Sequence, residues 1–153
     1  MKIIVDADAC PKTVKKICEE QAVKHGVELV MVIDEAHEID GNFTVIKVVQ
    51  GMDSVDHKII TMCIEGDIII TQDYGLASIL LQKASGVIHP KGFLYTIFNI
   101  ESLMFQRHMG QKIRKAGGRT KGPKKRTNNE DLEFEKILIS ILKKSKKPLK
   151  KLL

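Results

Sequence analysis

The stretch KIIVDADACP, residues 2–11, opens the chain with an apolar run that ends in acidic residues. Lys2–Val5 has the pattern of a buried strand, and Asp6 and Asp8 follow it directly. Pro11 then suits the first turn of a helix, because its missing N–H would have no partner there. A strand that passes at once into a helix predicts the first half of a βαβ unit.

The same alternation continues over the first 90 residues. Apolar, β-branched runs predict buried parallel strands at Val27–Ile33, Phe43–Val49, Asp67–Thr71 and Gly86–Ile88. Apolar residues at helical spacing predict helices near residues 11–25, 53–64 and 74–84. Strands that alternate with helices of this length indicate right-handed βαβ crossovers and a mainly parallel sheet. The predicted fold class is therefore a three-layer α/β/α sandwich.

The chain after Pro90 has a different composition, richer in basic residues. Residues 99–116 are predicted to form a helix, and residues 117–127, GGRTKGPKKRT, form a glycine-rich basic loop. Residues 129–143 follow as an amphipathic helix, with apolar positions Leu132, Phe134, Ile137, Leu138 and Ile141 predicted for the core. We expect one domain over residues 1–143 with extra C-terminal helices, and a frayed basic tail over residues 144–153.

Charge is divided unevenly along the 153 residues. The overall charge of +6 combines −6 over residues 1–90 with +12 over residues 91–153. An acidic half joined to a basic half suggests one surface that holds a cation and one that holds a polyanion. No apolar stretch approaches the roughly 20 residues that span a bilayer, and three sparse cysteines indicate reduced thiols. A cytoplasmic protein without membrane association is expected.

Several aspartates fall where the predicted strands pass into helices. Asp6 and Asp8 follow the first strand, Asp73 follows the strand DIIIT, and Asp53 and Asp56 begin a helix. Ligands of open α/β sheets bind beyond the carboxyl ends of the strands, so these carboxylates are expected to converge. Clustered carboxylates repel one another unless a cation neutralises them, and oxygen ligands select Mg²⁺ or Mn²⁺. Capping of helix N-termini is an alternative explanation for Asp53, Asp56 and Asp73.

Five ordered motifs carry a resemblance to a known family. They are DADACP at Asp6–Pro11, GMDSVDHKI at Gly51–Ile59, GDIIITQD at Gly66–Asp73, HPKG at His89–Gly92, and Arg114 with the following GGRTKGP. Together they resemble the YaiI/YqxD family of bacterial proteins. At one remove, the domain is similar to PIN and NYN nucleases, whose Rossmann-like domains hold Mg²⁺ or Mn²⁺ for RNA cleavage.

That resemblance implies roles for particular residues. Asp6, Asp56 and Asp73 would be the catalytic residues and primary metal ligands, and Asp8 and Asp53 would be supporting ligands. Thr71 would orient water or metal. Apart from the resemblance, His57 lies one turn from Asp53 and would support the site. The sequence departs from the PIN pattern after the second strand, where a helix acid is expected. The acids present in that stretch are Asp34, Glu35 and Glu38.

Basic residues of the C-terminal half are candidates for nucleic-acid binding, RNA being the expected partner. Arg107 and Arg114 are seven residues apart and can project from one helix face. The positive surface would continue into the glycine-rich loop and comprise Arg107, Arg114, Lys115, Arg119, Lys121, Lys124, Lys125 and Arg126. Contacts of this kind to backbone phosphates bind without sequence preference and weaken with salt.

Three functions remain open at this point. The first is a metal-dependent nuclease that cleaves RNA with the aspartate cluster. The second is an RNA-binding protein without catalysis, whose acidic pocket is structural. The third is a phosphatase like the haloacid dehalogenases, in which Asp6 would be the nucleophile and Asp8 a general acid. Cys10 is a further candidate, because a thiol at a helix start can have a lowered pKa.

Overall fold

One six-stranded sheet organises the molecule. The computed structural model describes residues 1–34, 38–49, 54–120, 122 and 124–145. Over those residues the strands are β1 (Lys2–Asp6), β2 (Glu28–Asp34), β3 (Thr44–Val48), β4 (Ile68–Ile70), β5 (Gly86–His89) and β6 (Phe93–Leu94). They lie in the order β3-β2-β1-β4-β5-β6, and every pair is parallel except the antiparallel pair β5 and β6.

Helices cover both faces of this sheet. One layer contains α1 (Lys12–His25) and α5 (Asn128–Lys144), and the opposite layer contains α2 (Val55–Met62), α3 (Tyr74–Leu80) and the start of α4 (Ile100–Lys115). The side chains of β1 alternate between the two faces of the sheet: Ile3 and Val5 pack against the first helix layer, and Ile4 packs against the second. The chain is thus an α/β sandwich with a mainly parallel sheet, as the sequence predicts.

A buried ion pair joins the amino ends of the two central strands. The Asp67 side chain is fully buried, and its Oδ2 lies 2.6 Å from Nζ of Lys2. Its oxygens also accept hydrogen bonds from the backbone N–H groups of Lys2 at 3.0 Å and Ile64 at 2.9 Å. Buried charge is costly unless it is paired and fully hydrogen-bonded. Asp67 meets that condition, and its contacts with Lys2 hold the start of β4 next to the start of β1.

The N-terminal turns of the helices use different residues to satisfy their backbone N–H groups. Thr127 and Glu130 form a capping box at the start of α5, and Asp73 caps α3 through its Oδ1. In α2 the cap is Ser54, whose Oγ accepts from the N–H of His57 at 3.0 Å. Asp56 therefore lies in the first turn of α2 with a carboxylate that is not used as the cap.

Four expectations need correction. Leu132 is 59% exposed and is not a core residue; the buried residues of α5 are Phe134, Leu138 and Leu142, and the predicted Ile137 and Ile141 pack against the core while partly buried. The short strand β6 was not predicted, because two residues carry too little periodicity to detect. The helix expected over residues 74–84 ends at Leu80. Helix α5 ends at Lys144, one residue later than predicted. Residues 146–153 of the expected tail are outside the described residues, so the domain boundary stays a prediction.

Helix α4 packs differently from the others. It contacts α3 through its first turn, and Ile100 is its buried residue. Phe105 is 63% exposed and Phe98, just before the helix, is 88% exposed, so much of the apolar side of this segment faces solvent. Within the described residues, no helix combines the length and apolar content that crossing a bilayer requires.

Gly92 sets how closely α5 approaches the β5–β6 turn. Its φ is +96°, and a Cβ there would lie 2.9 Å from the Phe134 backbone N and 2.8 Å from Cβ of Glu133. Gly92→Ala therefore combines backbone strain with a clash, and we expect it to lower the free energy of unfolding by about 2–4 kcal/mol. Urea denaturation followed by circular dichroism measures this loss.

Gly26→Ala is the matched control for that substitution. Gly26 also has a positive φ, +64°, but a Cβ at this position would meet no other atom within 4 Å. The variant should therefore lose only about 1 kcal/mol from backbone strain. Equal losses at Gly26 and Gly92 would contradict a tight contact between α5 and the turn.

Candidate functional site

The acidic residues meet where the connections of the sheet diverge. From β1 the chain goes through β2 to β3 on one side, and it then crosses to β4 on the other side of β1. A crevice forms beyond the carboxyl ends of strands at such a switch point. Asp6 is the last residue of β1, and the pairing of Val5 with Ile70 brings Thr71 beside it.

The Thr71 hydroxyl links two of the aspartates. Its Oγ1 donates to Oδ2 of Asp6 at 2.9 Å and accepts from the backbone N–H of Asp73 at 3.0 Å. Thr71 itself is fully buried. Because each hydrogen bond has a fixed direction, the hydroxyl holds Asp6 and the loop carrying Asp73 in one arrangement.

Asp56 reaches the same place from the facing helix. Its carboxyl lies close enough to that of Asp73 for a hydrogen bond to form when one of the two is protonated. Partial burial and the nearby charges of Asp73 and Asp6 raise the pKa of Asp56 to about 6, with Arg107 opposing the shift. Burial also raises the pKa of Asp6, although the Thr71 hydrogen bond opposes the change. The three predicted catalytic aspartates are thus close enough to perturb one another.

A guanidinium group lies against this cluster. Nη1 of Arg107 is 3.7 Å from Oδ1 of Asp73, and both side chains are partly exposed. The same Asp73 oxygen accepts the N–H of Leu76 at 3.1 Å. An open cavity of about 420 Å³ lies over the cluster and is lined by Asp6, Ala9, Gln72, Asp73, Tyr74 and Arg107. Acid and base therefore share one solvent-accessible crevice, which we call the acidic cleft.

The remaining acidic candidates lie around the cleft or outside the described residues. Asp8 is exposed, and its Oδ2 accepts from the backbone N–H of Asp34 at 3.1 Å; its charge also raises the pKa of Asp6. Glu38 lies 2.6 Å from Nζ of Lys47 in an exposed ion pair. Asp53 and Glu35 are outside the described residues.

The donor set of the cleft consists of oxygen atoms. Among the described residues, no three or more His, Cys, Asp or Glu side chains are grouped so that they could together hold a metal ion. Mg²⁺ commonly keeps several water ligands and binds through one or two carboxylates. The carboxylates of Asp6, Asp56 and Asp73 fit that kind of ion in chemistry, and they also hold excess negative charge that a cation would neutralise.

The two supporting residues have different positions. Thr71 is fully buried beneath the cleft, where its hydroxyl contacts Asp6 and the Asp73 N–H rather than the open space in which water or a metal ion would be. The His57 side chain is exposed, and none of the contacts of the described residues joins its ring to the aspartates. Its backbone N–H instead serves the N-terminal turn of α2. The structure therefore gives Thr71 a positioning contact and gives His57 none.

The basic candidates do not form one continuous contact. Arg107 lies at the cleft, whereas Nη1 of Arg114 donates to Oγ1 of Thr120 at 3.1 Å and closes the start of the loop onto α4. Nε of Arg126 donates to Oδ1 of Asp131 at 2.7 Å. The side chains of Lys115, Arg119, Lys124 and Lys125 are exposed, and Lys121 is outside the described residues.

Some residues at the site were missed by the sequence analysis. Gln72 and Tyr74 flank Asp73 and line the cleft; their position directly after the strand DIIIT is the signal that could have identified them. The prediction that Cys10 is a reactive thiol was wrong, because burial raises the pKa of this thiol to about 12.

Comparison with known proteins agrees with the motif resemblance. The model of the family described as "Uncharacterized BCR, YaiI/YqxD family" matches residues 4–144. The chain belongs to the YaiI/YqxD family. This match covers all the described strands of the sheet except the first two residues of β1, and all five helices.

Relatives of this YaiI/YqxD protein share nearly the whole chain. A UPF0178 protein of Ruminiclostridium cellulolyticum is 49% identical over 144 residues, covering 94% of this chain and 93% of its own. A UPF0178 protein of Clostridium tetani is 43% identical over 96% of this chain and 100% of its own length. A UPF0178 protein of Natranaerobius thermophilus is 46% identical over 93% of this chain and 96% of its own length. No solved structure matches the chain.

Thr71→Val tests the link between the two aspartates in this YaiI/YqxD protein. Valine has the same shape but leaves Asp6 and the N–H of Asp73 without their partner, so we expect a loss of about 1–3 kcal/mol in the free energy of unfolding. Thr71→Ser keeps the hydroxyl and should recover most of the hydrogen-bond contribution. Urea denaturation compares the two variants, and an equal loss in both would contradict the bridging role.

Asp56→Asn tests the electrostatic cost of the cluster. A folded-state pKa of about 6, above the ordinary value of 3.8, means that ionised Asp56 lowers stability as pH rises through 6. Asparagine removes that charge and keeps a hydrogen-bond donor toward Asp73. The variant should therefore be more stable than the wild type at pH 8, and its advantage should shrink as pH falls toward 4.

Thermal unfolding between pH 4 and pH 8 measures the difference. Asp40→Asn is the control, because Asp40 is exposed and outside the cleft. An advantage of Asp56→Asn that stays constant across this pH range would show that the charge of Asp56 is not its cause.

Proposed function

We propose that this protein is a divalent-cation-dependent phosphodiesterase that cleaves RNA in the acidic cleft. The observation that carries the proposal is the meeting of Asp6, Asp56 and Asp73 at the switch point of the sheet, with Arg107 against them. Asp6, Asp56 and Asp73 would hold Mg²⁺ or Mn²⁺, one or two of them directly and the others through water ligands of the ion, with Asp8 and Asp53 as supporting ligands.

The energetics of the cleft favour a functional explanation over a purely structural one. Asp73 alone is accounted for as the cap of α3. Ser54 caps α2, so Asp56 does not stabilise that helix as its cap. Its position beside Asp73 instead brings two negative charges together, which lowers the stability of the fold. Groups that lower stability in this way are concentrated at functional sites.

Hydrolysis in the cleft needs few groups from the protein. A bound Mg²⁺ or Mn²⁺ supplies a Lewis acid that stabilises charge on the phosphate and lowers the pKa of water. A water oxygen attacks phosphorus, a carboxylate of the cluster takes the proton released, and the bond from phosphorus to the leaving oxygen breaks. The leaving oxygen then takes a proton from solvent.

Arg107 is suited to bind the phosphate during this step. Its side chain is 53% exposed and is held to Asp73 at 3.7 Å, a long contact for an ion pair. The guanidinium can therefore turn toward an incoming phosphate oxygen at small cost. Binding of phosphate by Arg107 would bring a fixed positive charge to the phosphorus that is attacked.

RNA as the substrate rests on the charge distribution and on the resemblance to PIN and NYN nucleases. Residues 91–153 carry a charge of +12 and follow an acidic half, and α4 together with its loop presents Lys115, Arg119, Lys124 and Lys125 to solvent. Such side chains attract a phosphate backbone without reading its sequence.

Asp73→Asn tests catalysis while keeping the fold. Its side-chain oxygen can still cap α3, but the negative charge in the cleft is lost. We expect the wild-type chain to cleave 3′-labelled single-stranded RNA with Mn²⁺, and Asp73→Asn and Asp6→Asn to be about 100-fold slower or worse. Asp40→Asn should cleave at the wild-type rate. Denaturing gels over a time course measure the rates.

Other results would exclude the proposal in defined ways. RNA binding by the wild type without cleavage in Mg²⁺ or Mn²⁺ would leave a binding protein. A phosphoryl group trapped covalently on Asp6 would indicate a phosphatase instead. Calorimetric titration with Mn²⁺ gives a separate readout, since Asp73→Asn should weaken ion binding and Asp40→Asn should not.

A further inference from the structure

A second cavity adjoins the acidic cleft. Its volume is about 310 Å³, and its wall consists of Pro11, Gln72, Tyr74, His89, Pro90, Lys91, Lys124, Arg126 and Glu130. Gln72 and Tyr74 belong to the walls of both cavities. Gln72 is fixed there, because its Nε2 donates to the carbonyl of Ala9 at 2.9 Å. The two cavities therefore lie on either side of a shared ridge, and we call the second one the basic pocket.

His89 presents a hydrogen-bond donor to the basic pocket. It is 5% exposed, and its Nδ1 accepts the backbone N–H of Lys91 at 2.9 Å, so the proton of the neutral ring is on Nε2. No contact of the described residues uses Nε2. Nε2 of His89 is not one of the fully buried atoms without a hydrogen bond among these residues, so it keeps some exposed surface, and His89 is part of the pocket wall.

The imidazole is held rigidly in this orientation. Its ring stacks on Phe93 with centroids 4.5 Å apart, and Tyr74 and Tyr95 pack at 6.2 Å and 5.9 Å. Burial, with the charges of Lys91 and Arg126, lowers the pKa of His89 to about 4. At neutral pH the ring is therefore an uncharged donor of one hydrogen bond, fixed before any ligand arrives.

The charges around the pocket favour an anion. Lys91 and Lys124 are exposed at its wall, and Arg126, which also lines the pocket, pairs with Asp131. Nη2 of Arg126 is fully buried and lies 2.5 Å from Oδ1 of Asp131, so this nitrogen is paired with the carboxylate. The carboxylates of Glu130 and Asp131 offset part of the positive charge. The two lysines and the arginine leave an excess of +1.

Glu130 is already engaged at the start of α5. Its Oε1 accepts from the backbone N–H of Thr127 at 3.2 Å as part of the capping box. Of the positive groups of the pocket, Arg126 is already paired with Asp131, whereas Lys91 and Lys124 form no ion pair among the described residues. The available groups are therefore donors and cations, which is the set that a phosphate group requires.

We propose that the basic pocket is a subsite for the phosphate of the nucleotide next to the one cleaved in the acidic cleft, with His89, Lys91 and Lys124 as its donors and Arg126 adding positive charge to its wall. The inference rests on the proposed function, because the strand would run from one cavity to the other across Gln72 and Tyr74. It assigns roles to the motif HPKG and to the end of the basic loop, which come together only in the folded chain.

Binding without cleavage tests this subsite separately from catalysis. The probe is hexauridylate with a 3′-fluorescein label, and its anisotropy is measured in EDTA so that no divalent ion is present. Lys91→Gln/Lys124→Gln should weaken binding about tenfold and reduce the slope of log Kd against log salt by about 1.4, or about 0.7 for each lost phosphate contact on a single strand. Both lysines are exposed, so the variant should fold.

Lys16→Gln/Lys24→Gln is the matched control. It removes two charges from α1, away from both cavities, and should bind the probe as the wild type does. Equal affinity and salt slope for Lys91→Gln/Lys124→Gln and this control would overturn the subsite, while manganese-dependent cleavage by the wild type would still uphold the nuclease proposal.

A spectroscopic measurement addresses His89 without a substitution. In ¹⁵N-labelled wild-type protein, uridine 5′-monophosphate should shift the Nε2 resonance of His89, whereas uridine should not. Inorganic phosphate should produce the same shift at higher concentration if the phosphate group is what the pocket recognises. No shift of His89 with the nucleotide, or an equal shift with uridine, would overturn the assignment.

Discussion

Thr71 uses every hydrogen-bonding group it has, and the site depends on that. Its N–H donates to the carbonyl of Ile88 at 3.1 Å, and its carbonyl accepts the Tyr95 hydroxyl at 3.0 Å. Its own hydroxyl joins Asp6 to the Asp73 loop. One buried residue thus ties β1, β4, β5 and the segment after β6 together at the point where the sheet connections diverge. Loss of any of these bonds would leave a buried polar group unpaired.

The acidic cleft lowers the stability of the fold, whereas the rest of the sheet raises it. The central strands around it are almost wholly apolar and buried on both faces, whereas Asp6, Asp56 and Asp73 are brought together with like charge. Arg107 and the Thr71 hydroxyl offset part of the repulsion. The acidic half of the sequence therefore builds the cleft, and the basic half supplies groups to its rim: Arg107 at the cleft, and Lys91, Lys124 and Arg126 at the adjoining pocket.

Much of the sheet could be predicted because its strands are continuous apolar runs covered on both faces. The sequence predicted that Asp6 and Asp73 could converge if their strands were neighbours, and the pairing of β1 with β4 supplies that condition. What could not be predicted depends on long-range geometry. The choice of Ser54 as the α2 cap, the ring contacts of His89, and the meeting of the HPKG turn with Arg126 all involve residues whose spacing along the chain carries no periodic signal.

The two tyrosines of the chain have a practical consequence. The sequence contains no tryptophan and only these two tyrosines, and the rings of Tyr74 and Tyr95 pack edge to face with centroids 6.0 Å apart. Tyr74 lines both cavities, and Tyr95 contacts Thr71. All of the tyrosine fluorescence of the protein therefore originates beside the crevice, so the unlabelled molecule carries its own optical reporter of whatever enters there.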